Sequence, residues 1–178
     1  NIPTTCSMCH AEIAEVYAQS IHGVAAARGV GDSPVCTDCH GEHLILSPRN
    51  PEARVSGISQ AEETCGRCHD DPLIIAKYGF EAGVVGSYLD SYHGWANRAG
   101  DGRAASCMDC HTAHLVLPKA DSASSISDGN IVATCAACHP GATANFAASS
   151  DRAAAASVWP SWCTASARAA CGGGRFGA

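Results

Sequence analysis

The stretch "CTDCHGEHLIL" (36–46) returns 71 residues later as "CMDCHTAHLVL" (107–117). Each copy carries two cysteines spaced CxxC, a histidine directly after the second, and another histidine three residues on. Upstream of it, "YAQSIHG" (17–23) reappears as "YLDSYHG" (88–94) at the same offset. The following linkers differ by one residue, so Thr64-Cys65 maps onto Thr134-Cys135 at an offset of 70. The chain is therefore built from a repeating unit that reads CxxCH, helix, SxHG, CxxCH, xxH.

Ten of the twelve cysteines belong to five CxxCH signatures: Cys6, Cys9 and His10; Cys36, Cys39 and His40; Cys65, Cys68 and His69; Cys107, Cys110 and His111; Cys135, Cys138 and His139. This spacing is that of c-type haem attachment, in which two thiols form thioethers with the vinyl groups and the adjacent imidazole binds the iron. Zinc ribbons also use CxxC pairs, but they require no histidine after every second cysteine. Neither a βαβ context for a thioredoxin motif nor a ferredoxin spacing is present. The expected cofactors are five haem c groups, with His10, His40, His69, His111 and His139 as proximal ligands.

Composition agrees. Leu, Ile, Val and Phe number only 28 of 178 residues, a level that ordinarily signals disorder. Five porphyrins bring the missing apolar surface and become the core. At this ratio of protein to cofactor neighbouring porphyrins lie close, and close porphyrins exchange electrons. A net charge of -6, with scattered Arg and Lys, argues against nucleic-acid binding. No stretch approaches the 18 or more apolar residues of a membrane-spanning helix, so no membrane span is expected. The first cysteine's closeness to Asn1 resembles a chain whose leader has been removed.

An iron that only carries electrons is commonly closed by two protein ligands. The nine histidines divide into the five proximal ones and four others, His22, His43, His93 and His114, at repeat-equivalent positions. These four are the expected distal ligands. His43 lies too near His40 in sequence to wrap to the opposite face of the same haem, so it serves another iron.

In these CxxCH, SxHG and CHxxH elements, which cover residues 6 to about 146, the chain resembles the multihaem cytochrome c families, and "CHPGATANF" (138–146) looks like their last haem site. The resemblance implies bis-histidine haems and export to the periplasm, cell surface or extracellular space. It also implies a conduit between redox partner proteins: a quinol-linked or soluble donor and a terminal reductase or external acceptor. Some relatives polymerise into extracellular filaments in which one subunit ligates a haem of the next. Others are pentahaem subunits of quinol-oxidising membrane complexes.

The pattern then breaks. Five irons face four distal histidines. In the third unit "FAASSD" (146–151) aligns with "YAQSIH" and "YLDSYH", so Asp151 stands where a histidine belongs. If SxH serves the next haem downstream, the haem on Cys6 and Cys9 is short of a ligand. If SxH serves the haem before it, the haem on Cys135 and Cys138 is. Relatives that keep an SxH-like element after their final haem favour the second register. A histidine from an identical subunit, a methionine, Asp151, water or a substrate are candidates for the open position, although Met8 and Met108 read as loop filler. Beyond Phe146 the repeat stops so abruptly that a change of reading frame is a second account of the tail, in which Cys163 and Cys171 are either a disulfide or two free thiols.

The expected fold is mostly irregular with short α-helices and little or no β-sheet. Residues 11–22 put Ile13, Val16, Tyr17 and Ile21 on one face, and 82–93 do likewise with Val85, Tyr88, Leu89 and Tyr92. Each helix is expected to end at Gly23 or Gly94, with its histidine at the carboxyl end. The linkers 47–60 and 118–130 read as loops. The organisation is a two-haem repeat at 1–64, a second at 65–134, a partial third with the fifth haem at 135–146, and an Ala/Ser/Gly-rich tail at 147–178. The expected function is electron transfer without catalysis. The competing class is a reductase acting at one open haem, which would need a cluster of acid-base or cationic residues that the sequence does not display.

Overall fold

The computed structural model describes the backbone of residues 1–155 and the side chains of 1–149. The remainder of the expected tail, with Cys163 and Cys171, and the side chain of Asp151 lie outside the described residues. Among the described residues there is no strand, and the chain is a succession of short helices and turns.

The first unit holds α1 (Ile2–Ser7), α2 (Ala11–Gln19), α3 (Ile21–Ala27) and α4 (Cys36–His40), followed by a run of turns and one π-helical turn, Gln60–Thr64. The second holds α5 (Gly66–His69), α6 (Pro72–Tyr78), α7 (Val84–Asp90), α8 (Tyr92–Arg98) and α9 (Cys107–His111). After it come α10 (Ile131–Ala136) and α11 (Ala144–Ala155). No helix among the described residues is long and apolar enough to cross a membrane.

The expected helices over 11–22 and 82–93 are each two helices. Ser20 breaks the first: its extended backbone ends α2, and its hydroxyl accepts the Gly23 N–H at 3.0 Å to cap α3 while donating to the Tyr17 carbonyl at 2.6 Å. Ser91 does the same between α7 and α8, with Gly94 and Tyr88 as partners. His22 and His93 therefore sit in the first turn of a new helix, not at the carboxyl end of an old one. Gly23 and Gly94 are not helix stops. Each lies inside its helix where a Cβ would collide with the carbonyl oxygen of Tyr17 or Tyr88. SxHG is thus a cap, a presented imidazole and a close backbone approach, in that order.

Side chains make little core. Among the described residues the buried apolar ones are Ala53, Val55, Ala61, Ala96 and Ala147, and the largest wholly buried side chains are Ser20 and Ser124. The face expected on α2 stays uncovered at Ile13 and Val16, and Leu44, Ile45, Leu73, Tyr92 and Trp95 are open as well. What protein core exists lies in the linkers. In the first, Gln60 is buried, donating to the Val55 carbonyl at 2.9 Å and accepting the Met108 N–H at 3.2 Å, which ties the first unit to the second. The repeat extends to this detail: Thr64 donates to the Arg54 carbonyl and Thr134 to that of Ser125.

Candidate functional site

Every CxxCH is wound as one helical turn. The histidine N–H reaches the first cysteine's carbonyl at 2.9 Å for His10, 3.0 Å for His69 and 2.9 Å for His139, and α4 and α9 hold the other two motifs in the same form. A helix brings positions three and four apart to one side, so both thiols and the imidazole face a common space. The aspartate in "CTDCH" and "CMDCH" supports the turn, since Asp38 accepts the Val35 N–H and Asp109 the Ser106 N–H, each at 2.7 Å. These two carboxylates were missed as site residues, though their equal place in both repeats is a readable signal.

Six of the nine imidazoles meet in pairs. His22 faces His69 with ring centres 6.3 Å apart, His40 faces His114 at 6.1 Å, and His93 faces His139 at 6.0 Å. Ordinary aromatic pairs also fall within about 4.5–7 Å, so distance alone decides nothing. The pattern does: each pair joins one CxxCH histidine to one of the four others. The pairs His22–His69 and His93–His139 are moreover the same pair advanced by one repeat. Two imidazoles that bind a common metal through nitrogen at about 2.0–2.1 Å have ring centres about 6 Å apart. These residues therefore fit an iron between them, and neither expected register holds: each SxH histidine passes over the next CxxCH downstream to face the one after it, His22 passing His40 to reach His69 and His93 passing His111 to reach His139. His93, in α8, reaches the histidine that follows Cys138, so the register that left the Cys135 and Cys138 site open is overturned by the geometry.

Three histidines remain. His10, His43 and His111 have no ring partner among the described residues, and all three are exposed. His43 does lie apart from His40, but no other histidine faces it; its side chain is 94% open beside Glu42. Met8 is also exposed, 78% open, and Met108 enters only through its backbone.

Burial lowers the proton affinity of five of the six paired imidazoles, and of the unpaired His111 as well; the effect is largest at His22, which burial and then the His69 ring bring down to about 4. Each is thereby held neutral, the form that binds a metal. Phe80 and Phe146 lie against His69 and His139 with ring centres 5.1 and 5.0 Å apart, a support the sequence reading also missed.

The five motifs adjoin in chain order. Burial and then the Cys6 thiol raise Cys36, and hydrogen bonding to Cys107 raises Cys65. Burial is the main cause at Cys39, which also feels Cys68, and at Cys110, which feels Cys135 and Cys138. First cysteines thus meet within a unit, while between units the second cysteine of one motif feels the next motif, Cys39 feeling Cys68 and Cys110 feeling Cys135 before Cys138. Among the described residues no three or more of His, Cys, Asp and Glu converge on one point, as a tetrahedral zinc site would require. A cavity of about 240 Å³ beside the His93–His139 pair is lined by Tyr92, Asp101, Arg103 and Cys138 among others. Comparison of the chain with family models, with curated proteins and with solved structures finds no match.

Proposed function

We propose that the protein is an exported electron-transfer cytochrome that binds five haem c groups and passes electrons along them between redox partner proteins. The observation that carries this reading is the set of three imidazole pairs, each uniting a CxxCH histidine with a repeat-equivalent histidine from elsewhere in the chain. Haem attached at the ten cysteines supplies the redox-active iron and the missing apolar core. The chain's own residues supply spacing and ligation. His22 of the first unit reaches the second unit's His69, and His114 of the second reaches the first unit's His40, so each unit closes sites on the other. The hydrogen-bonded thiols Cys6–Cys36 and Cys65–Cys107, with Cys39 near enough to feel Cys68 and Cys110 near enough to feel Cys135, support one unbranched path in sequence order. His43, open to solvent beside the exposed Leu44 and Ile45, suits a contact with another polypeptide at the first unit's end.

The test is a pyridine haemochrome assay with intact mass, for which five covalent haems per chain are expected; fewer would refute the reading. Register is tested separately by electron paramagnetic resonance of His22→Ala. One haem should become high-spin, the one attached at Cys65 and Cys68; a change at the Cys6 and Cys9 haem instead would show the pairing to be wrong.

A further inference from the structure

The second unit carries a segment that the first lacks: Cys65 stands 23 residues before Tyr88, where Cys6 stands 11 before Tyr17. The added residues form α6 and the turn after it. Asp71 caps this helix by accepting the Leu73 and Ile74 N–H groups at 2.7 and 3.4 Å. Gly79, at a φ of 69°, ends it in the left-handed conformation, and the chain folds back so that the Phe80 N–H reaches the Ile75 carbonyl at 3.2 Å. Phe80 is thereby laid against His69, with ring centres 5.1 Å apart and planes only 19° from parallel. Tyr78 stacks in turn on Phe80 at 5.8 Å, and its hydroxyl donates at 2.7 Å to the Asp32 carboxylate, which also accepts from Lys77 at 2.6 Å. Asp32 belongs to the first unit, in the loop whose Ser33 hydroxyl donates to the His22 carbonyl at 2.7 Å. One loop thus reaches both members of the His22–His69 pair, His22 directly and His69 through Tyr78 and Phe80.

A flat side chain against an imidazole fixes what the histidine's own bonds leave loose. The torsion that turns a histidine ring is broad, and the neighbours of a metal-binding histidine set its ring orientation. His22 and His69 lie with their planes 56° apart, and His93 and His139 lie 46° apart, with Phe146 against His139. His40 and His114 lie only 10° apart. Phe146 comes from α11 and Phe80 from the turn after α6, so two unlike segments bring a phenylalanine to the two histidines that receive an SxHG partner.

The angle between axial imidazoles has an electronic consequence in a low-spin ferric haem. Parallel rings direct their π donation into one iron d orbital and split it widely from its neighbour. Crossed rings divide the donation and leave the two orbitals close in energy. The first arrangement gives a rhombic electron paramagnetic resonance signal, and the second a strongly anisotropic one whose leading feature lies at lower field. We infer that Phe80, seated by Tyr78 and Asp32, is a positioning residue that holds the His69 imidazole crossed against that of His22, so that the haem attached at Cys65 and Cys68 differs in electronic state from the one attached at Cys36 and Cys39. The inference rests on the proposed haem loading. It makes two sites with the same ligand types unlike through the packing around a ligand.

The test is electron paramagnetic resonance of the oxidised, haem-loaded chain. Subtracting the spectrum of His22→Ala isolates the signal of the Cys65 and Cys68 haem, and subtracting that of His114→Ala isolates the signal of the Cys36 and Cys39 haem. The first should have its leading feature at lower field than the second. Phe80→Leu, which keeps an apolar side chain but no flat face, should shift that feature toward the rhombic position or broaden it while the haem stays low-spin. Phe80→Tyr, which keeps the ring, should leave it in place. Coincident leading features in the two wild-type signals overturn the inference. So does a Phe80→Leu signal unmoved in position and width, or a Phe80→Tyr signal that shifts as far. If Phe80→Leu does not accumulate, Tyr78→Leu, which removes only the ring that seats Phe80, should shift the same feature by less, and no shift overturns the inference. A haem count below five in the untreated protein would instead refute the function proposed above.

Discussion

At the scale of single residues, the SxHG element concentrates the local physics. The serine hydroxyl bonds backward to a tyrosine carbonyl and forward to a glycine N–H, fixing a sharp break between two helices and aiming the intervening histidine. Ser20, 1% exposed, has no water to replace its bonds. Ser20→Ala is expected to cost about 1 kcal/mol as a lost cap, seen as a lowered thermal midpoint of the haem-loaded protein. Gly94→Ala should act more selectively. A methyl there cannot coexist with the Tyr88 carbonyl, and overpacking of this kind costs about 1–3 kcal/mol. It should also displace His93, converting the haem proposed at Cys135 and Cys138 to high-spin in electron paramagnetic resonance; an unchanged spectrum would mean that the close approach does not set the imidazole's position.

At the scale of elements, the linkers between CxxCH motifs do more than connect. Gln60 is buried in the first, bonded both to its own linker and to α9 of the next unit. Gln60→Ala leaves the Val55 carbonyl and Met108 N–H without these partners, and about 1–3 kcal/mol of destabilisation is expected, measurable by chemical denaturation with the haem absorbance as probe. The α11 helix makes a contrast. Ser149 donates to the Phe146 carbonyl at 2.7 Å as Ser20 and Ser91 do to their tyrosines, yet α11 runs unbroken from Ala144 to Ala155. The aligned serine kept its local bond but not the break that presents a histidine in the other two units.

At the scale of the whole molecule, the buried apolar side chains among the described residues are four alanines and a valine. Burial of that size is far below what offsets chain entropy in a domain of this length. The chain produced without haem attachment, for instance with all ten CxxCH cysteines replaced by alanine, is expected to show no cooperative thermal unfolding in circular dichroism. A sharp transition would mean that the polypeptide folds without the cofactors.

The sequence by itself determined the parts: five CxxCH motifs, four further histidines, a repeat of two motifs per unit, and a chain of short helices with little or no sheet. These are legible because they rest on spacing within a few residues, where a helical turn fixes which atoms share a side. Which imidazole meets which was decided only by the tertiary structure. His22 is nearer in sequence to His10, yet it faces His69, and its neighbour Ile21, just after the break at Ser20, bonds the Val116 carbonyl of the second unit. The same holds for the other three histidines: spacing marks His10, His43 and His111 as equal to the rest, and only the tertiary structure shows them without a ring partner among the described residues.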